Sequence, residues 1–240
     1  MSLSIAFAGI AGRAGYLEAF LIATIGTFFH QLNAGLVARY AVDFGGTMGV
    51  FIFGGTMGTV MALLLCFKHK NQFYAHPEYT SNKMSRTLAL LGGAFCWLLF
   101  PILNMDLSPD LFIFSNGPIS TFICISSSVV TMVGICFMVE QRIELRCFIT
   151  SIIAGGVVIG ASSTNIYNPL GALFMGFLAA ILQYIFIRIE VHTGMKPLWS
   201  NGILFLFVVQ GVIGGFASAV FRAINITSGS FGSLYNSLSP

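Results

Sequence analysis

Gly45-Gly46-Thr47-Met48-Gly49-Val50-Phe51-Ile52-Phe53-Gly54-Gly55-Thr56-Met57-Gly58 opens a run that continues through residue 67 without a charged side chain. About twenty predominantly apolar residues suffice to cross a bilayer as an α-helix, so the run reads as a spanning helix. Its glycines stand four apart, Gly45 with Gly49 and Gly54 with Gly58, which puts each pair on one helix face. Small residues on one face let two backbones approach closely, a main source of helix association in lipid. Gly156 with Gly160 and Gly211 with Gly215 repeat the spacing further along. All eight read as packing positions inside a helical bundle.

The rest of the chain has the same character. Of 240 residues 56% are hydrophobic and 8% charged, and the mean hydropathy is +0.89. A soluble domain carries about a quarter charged residues, so most of this surface must face lipid. Seven runs are long enough to span: residues 17–37, 45–67, 87–103, 119–139, 148–163, 170–189 and 202–224. The third and fifth are short and call for tilt or packing support. The fold class that follows is an all-α integral membrane protein. Residues 1–12 read as a segment on the membrane surface or against a partner, too short and without the basic leader of a signal peptide. Residues 225–240, rich in Ser, Gly and Asn, read as a non-helical polar tail.

Seven spans divide the basic residues nine against two. Arg13, Lys68, Lys70, Lys83, Arg86, Arg142, Arg146, Arg188 and Lys196 fall on one side; Arg39 and Arg222 fall on the other with Asp43, Asp106 and Asp110. The positive-inside rule then places the N-terminus on the cytoplasmic or matrix side and the C-terminus opposite.

Catalytic chemistry finds no foothold. There is no Gly-rich phosphate loop and no Cys/His dyad. The acidic residues are few and mostly in loops. The net charge of +3 and the short Lys68-His69-Lys70 tract give no footing for nucleic acid. Cys66, Cys96, Cys124, Cys136 and Cys147 lack CxxC spacing and lie in or beside apolar runs, so they read as buried thiols. His69, His76 and His192 sit in loops at no metal-ligand spacing. No metal or other cofactor is expected, and the chain reads as no enzyme. Asn225-Ile226-Thr227 matches a glycosylation sequon, too close to the membrane end to carry weight.

Five stretches in order carry a family resemblance. Asp43, the Gly45-Gly46 pair and Thr47 open one helix; Thr87 to Asn104 holds Gly92-Gly93, Trp97 and Pro101. Ala154-Gly155-Gly156-Val157, Pro169-Leu170-Gly171-Ala172 and Gly211 to Ala219 follow. The sequence resembles the ammonium transporter and Rhesus glycoprotein (Amt/Rh) family, the Rhesus branch more closely. The resemblance implies that the spans correspond to helices four to ten of that fold, which is built as two inverted repeats around a pore. It implies that helices one to three are absent, so that residues 1–240 form a single truncated domain. It also implies a homotrimer and a plasma-membrane location.

The family carries a histidine eight residues after the Asp and another four residues before a Gly of the penultimate helix. Here those positions are Phe51 and Phe207. Imidazole can donate and accept a hydrogen bond and titrates near neutrality; a phenyl ring does neither. Both are therefore read as degenerate pore positions. Asp43 reads as a helix cap, with a vestibule role the alternative. His30, Gln31 and Asn33 form a second vestibule candidate, and Gln183 and Gln210 are expected to bond between helices.

The function expected is a non-transporting structural or accessory subunit of a larger membrane assembly, with lipids and other membrane chains as partners. The mitochondrial inner membrane is the favoured home. The alternative is a reduced ammonium or ammonia channel.

Overall fold

The computed structural model describes residues 1–11, 14–41, 43, 45–68, 82–105, 111–166, 168–193 and 202–238, and within them every regular element is helical. Helix α1 is Ser2–Ile10 and α2 is Tyr16–Tyr40. A π-helical segment, Thr47–Ile52, leads into α3, Phe53–Lys68. Then come α4 (Lys83–Leu103), α5 (Leu111–Glu140), α6 (Leu145–Ile159) and α7 (Pro169–Thr193). A second π-helical segment, Leu204–Val209, opens α8, Gln210–Leu238.

Six of these helices are long and apolar enough to cross a membrane; α6 is shorter. It lies inside the bundle, with every residue of its last turns, Ala154 to Ile159, buried. Small residues bring it there: a Cβ on Gly155 would sit 3.0 Å from the Ile125 Cα of α5. The fifth expected span ends in a run of turns through Asn165 rather than in helix. Inside a bilayer those turn amides and carbonyls need protein partners. The Asn116 amide supplies two, donating to the carbonyls of Thr164 (3.2 Å) and Ile166 (2.9 Å). Helices α5, α6 and α7 pack most extensively on one another, and α2 lies at the periphery with Gly26 as its one buried residue.

Two expectations change at the ends. Within the segment 1–12, residues 2–10 form a helix that packs into the bundle. Helix α1 buries Ser2, Ile5, Ala6, Gly9 and Ile10 within the chain. It lies on the Gly54/Gly58 face of α3, where a Cβ on Gly54 would meet the Ser2 carbonyl at 2.5 Å and one on Gly58 the Ala6 Cα at 3.0 Å. The glycine face that reads as a packing surface is thus covered by the chain's own first helix. The tail is also not irregular: α8 continues helical through Leu238. Once a helix is nucleated by packing, each further residue costs little, and weak formers such as Ser and Asn do not end it.

The two ends of the bundle differ in chemistry. At one, Arg146 pairs with Glu190 and Arg188 with Glu140. At the other, Gly45, Asn104, Gly117 and Gly160 meet with their backbones nearly in contact.

Candidate functional site

The site is built from the entry to α3. Gly46 takes a left-handed conformation (φ 68°) that a side chain would strain. Its carbonyl then accepts from two amides, Val50 at 2.8 Å and Phe51 at 3.0 Å, so the first turn is wide. Asp43 caps this turn: its Oδ2 accepts from the amides of Met48 (2.7 Å) and Gly49 (2.8 Å). Asn33 Nδ2 donates to the Gly49 carbonyl, and the Thr47 hydroxyl donates to the Val157 carbonyl of α6, each at 3.2 Å. Anchored on three sides, the wide turn points Phe51 inward, where it is 1% exposed.

The second π-helical segment brings Phe207 to meet it. The ring centroids are 6.0 Å apart and the planes 7° from parallel. Phe51 is buried and Phe207 partly buried, and their rings are stacked. Glycine sets that geometry. A Cβ on Gly55 would sit 2.9 Å from Phe207 Cβ, and one on Gly211 would sit 2.6 Å from Ile52 Cγ1. The two segments therefore approach closely, with glycine backbone against the side chains of the facing segment. Phe100 of α4 adds a third ring, 5.8 Å from Phe51 and tilted by 33°. Ile5, Ile125, Val129, Ile152, Val157 and Ile203 complete the buried cluster. None of these side chains donates or accepts a hydrogen bond. Such an arrangement can fill space and exclude water, and it offers nothing to an ion.

A model of the Ammonium Transporter Family matches residues 1–238. The chain belongs to the ammonium transporter family. It is 26% identical over 226 residues to Ammonium transporter Rh type C of Oncorhynchus mykiss, covering 91% of this chain and 45% of that protein. It is 28% identical over 232 residues to Rhesus-like glycoprotein A of Dictyostelium discoideum, covering 93% of this chain and 43% of that protein. The chain thus spans about half the length of the curated relatives it matches. Among solved structures, Nitrosomonas europaea Rh50 aligns with a TM-score of 0.73 at 18% identity, over 94% of this chain and 64% of that one. A Sensor Amt Protein aligns with a TM-score of 0.70 at 23% identity, over 92% and 58%. Both share the fold.

Within this family member the other sequence-derived candidates fall as follows. His30 packs its ring 5.4 Å from Phe53, and its Nδ1 is buried without a hydrogen-bond partner. Gln31 is exposed. Of the vestibule trio only Asn33 bonds to the segment that holds Phe51. Gln210 is fully buried and donates from Nε2 to the Ala179 carbonyl of α7 at 3.1 Å. That is the interhelical bond expected of it. Gln183 is 3% exposed and its Oε1 has no partner.

Among the paired glycines, Gly45, Gly54, Gly58, Gly156, Gly160 and Gly211 stand where a Cβ would meet a neighbour at 3.0 Å or less. Gly49 and Gly215 have 3.6 Å or more. His192 is exposed near the end of α7. Cys124, Cys136 and Cys147 are buried and Cys96 half-buried, all as free thiols. Arg13, His69, Lys70, His76, Asp106, Asp110 and Lys196 lie outside the described residues.

Both π-helical segments, Gly55 and Phe100 escape a reading of the sequence. An extra residue in a helical turn is imposed by tertiary partners, here Asp43, Asn33 and Thr47, and has no signature in the local sequence. The doubled Gly54-Gly55 is the one available hint of a close approach on two faces.

Proposed function

We propose that this chain is a non-conducting member of the ammonium transporter family that serves as a structural or accessory subunit of a larger membrane assembly. The observation that carries the reading is the stack of Phe51 on Phe207, at the two positions where the family resemblance places pore histidines. A dry aromatic contact there removes the polar relay. A charge crossing mid-membrane without compensation costs at least ~2.5–3.5 kcal/mol on insertion scales. The stack itself adds about 0.5–1.5 kcal/mol beyond the area it buries, which favours a closed contact over an open lumen.

The accessory role is supported by α2. Phe20, Ile25, Phe28, Phe29, Leu32 and Leu36 on it are all exposed, and this wide apolar face fits lipid together with a neighbouring membrane chain. The positive-inside rule places the arginine-rich end on the cytoplasmic or matrix side.

Fluorine NMR of the chain carrying 4-fluorophenylalanine at position 51 tests the dry contact. No shift in the resonance is expected when H2O is exchanged for D2O. A solvent isotope shift as large as that of free 4-fluorophenylalanine in buffer would place water against Phe51 and overturn the reading. The rival reading is a reduced ammonium or ammonia channel.

A further inference from the structure

Helices α5 and α6 run antiparallel and are joined by side chains at four-residue steps. The Cys124 thiol of α5 donates to the Gly155 carbonyl of α6 at 3.3 Å, and the Ser128 hydroxyl donates to the Ser151 carbonyl at 2.8 Å. One step further in the same register, Met132 of α5 stands level with Cys147 of α6. Cys136 is the next residue on that face of α5, one turn beyond. In a helix the Cα–Cβ bond tilts toward the N-terminus. Cys136 therefore leans back toward Met132, and Cys147, on a helix running the other way, leans toward Cys136. The offset of one turn is closed from both sides.

The side chains meet as this register requires. Cys136 and Cys147 are 0% and 1% exposed. They share one buried cluster with Met132, Ala180 and Ile187, and Tyr184 packs against it. Their thiols share a side-chain hydrogen bond, and both are free. The connection between the helices spans only the few residues from Glu140 to Leu145. Gln141 turns the chain there with a left-handed φ of 54°, so the pair lies near the closed end of a helical hairpin. Cys124 and Cys96 belong to other clusters.

A disulfide needs Cβ atoms about 3.5–4.5 Å apart. Antiparallel helices come that close where the facing residues are small. Here a Cβ on Gly155 would lie 3.0 Å from the Ser128 Cβ, two turns from the cysteine pair on α5. Burial among apolar neighbours shields the thiols from bulky reagents and leaves a small uncharged oxidant as the species that can reach them.

We propose that Cys136 and Cys147 are a redox modification site, a dithiol that a peroxide converts into a disulfide joining α5 to α6. The sulfur of one cysteine attacks the peroxide O–O bond, becomes a sulfenic acid and releases water. The second thiol then attacks the sulfenic sulfur, the S–S bond forms, and a second water leaves. Two thiols and one hydrogen peroxide thus give one disulfide and two waters, the sulfurs supplying two electrons to the peroxide oxygens. The site depends on the packing of α5 on α6 and not on the function proposed above, so a conducting chain would leave it standing.

The full chain in detergent is treated with hydrogen peroxide, unfolded, alkylated with N-ethylmaleimide and digested with trypsin. Cleavage at Arg142 and Arg146 puts the two cysteines on separate peptides. A linked pair of peptides joined through Cys136 and Cys147 is expected, with the two alkylated peptides lost in equal proportion and restored by dithiothreitol. Cys147→Ser should abolish the link. The oxidised chain should also unfold at a higher temperature than the reduced one, because a cross-link restricts the unfolded chain. Persistence of both alkylated peptides in the unmodified, oxidised chain overturns the proposal without recourse to the variant. Links from either cysteine to Cys96 or Cys124 overturn the pairing, and a lower unfolding temperature on oxidation overturns the geometry inferred for it.

Discussion

Asp43 shapes the candidate site with one oxygen. Its Oδ2 holds the amides of Met48 and Gly49, and through them the wide turn that aims Phe51 inward. Asp43→Ala should destabilise the chain by about 1–2 kcal/mol, the usual cost of losing a helix cap, with Asp43→Asn keeping most of the stability. Thermal unfolding in detergent reads both. Phe51→Ala should cost more, about 3 kcal/mol or above, because a fully packed ring leaves a cavity behind.

Glycine gives a sharper contrast. A Cβ on Gly176 would lie 2.2 Å from the Cys124 carbonyl, whereas Gly134 has nothing within 4 Å. Gly176→Ala should therefore lower stability by about 1–3 kcal/mol through overpacking, and Gly134→Ala should be neutral or stabilising by up to about 1 kcal/mol. Equal effects at the two positions would mean that α5 and α7 are not in backbone contact. At this scale Phe51, Phe207, Asp43 and the glycine pairs are legible in the sequence because each departs from, or keeps, a pattern with a known physical role. Phe100 is not legible. Its place depends on the Gly156 face of α6, more than fifty residues away, where a Cβ would meet the Phe100 ring at 2.5 Å.

Helix existence reads well from apolar run length, and helix ends read poorly. Residues 87–103 form the tail of a longer α4 that starts at Lys83, since a basic residue does not stop a helix that is leaving the membrane. Residues 148–163 mix the short α6 with a buried turn run, because the Ser162 and Ser163 hydroxyls donate to backbone carbonyls inside an otherwise apolar stretch. Helix α1 is invisible to span counting, since nine residues cannot cross a bilayer. Its docking face is still written as Gly54 and Gly58. Gly58→Val should push α1 off α3, which hydrogen–deuterium exchange would register as faster exchange across residues 2–10 with the α5–α7 core unchanged. Unaltered protection of α1 would contradict the packing. The order of the helices places Ser85 and the exposed Asn168 at opposite ends of the bundle. Single cysteines there, in a chain cleared of its own, should react with impermeant reagents from opposite sides of the membrane; labelling from one side would contradict the topology.

At the level of the whole molecule a transporter fold surrounds an apolar centre. Family membership explains the bundle, and the two π-helical segments explain how Phe51 and Phe207 come to face each other across it. The ring positions can be read in sequence, because the family resemblance puts histidines there. Their parallel stacking cannot, because it depends on how closely the two segments pack at Gly55 and Gly211. The function proposed rests on this apolar centre, whose buried ring cluster offers no hydrogen-bonding side chain among the described residues. The measurement that tests this most directly is stopped-flow pH recording on proteoliposomes containing the unmodified chain after a step in external ammonium. Alkalinisation of the lumen at the rate of protein-free liposomes is the result the stacked rings predict. A rate that rises with the amount of chain incorporated, and that falls when Phe51 or Phe207 is replaced by tryptophan, would show a conducting path through the stack and contradict the account.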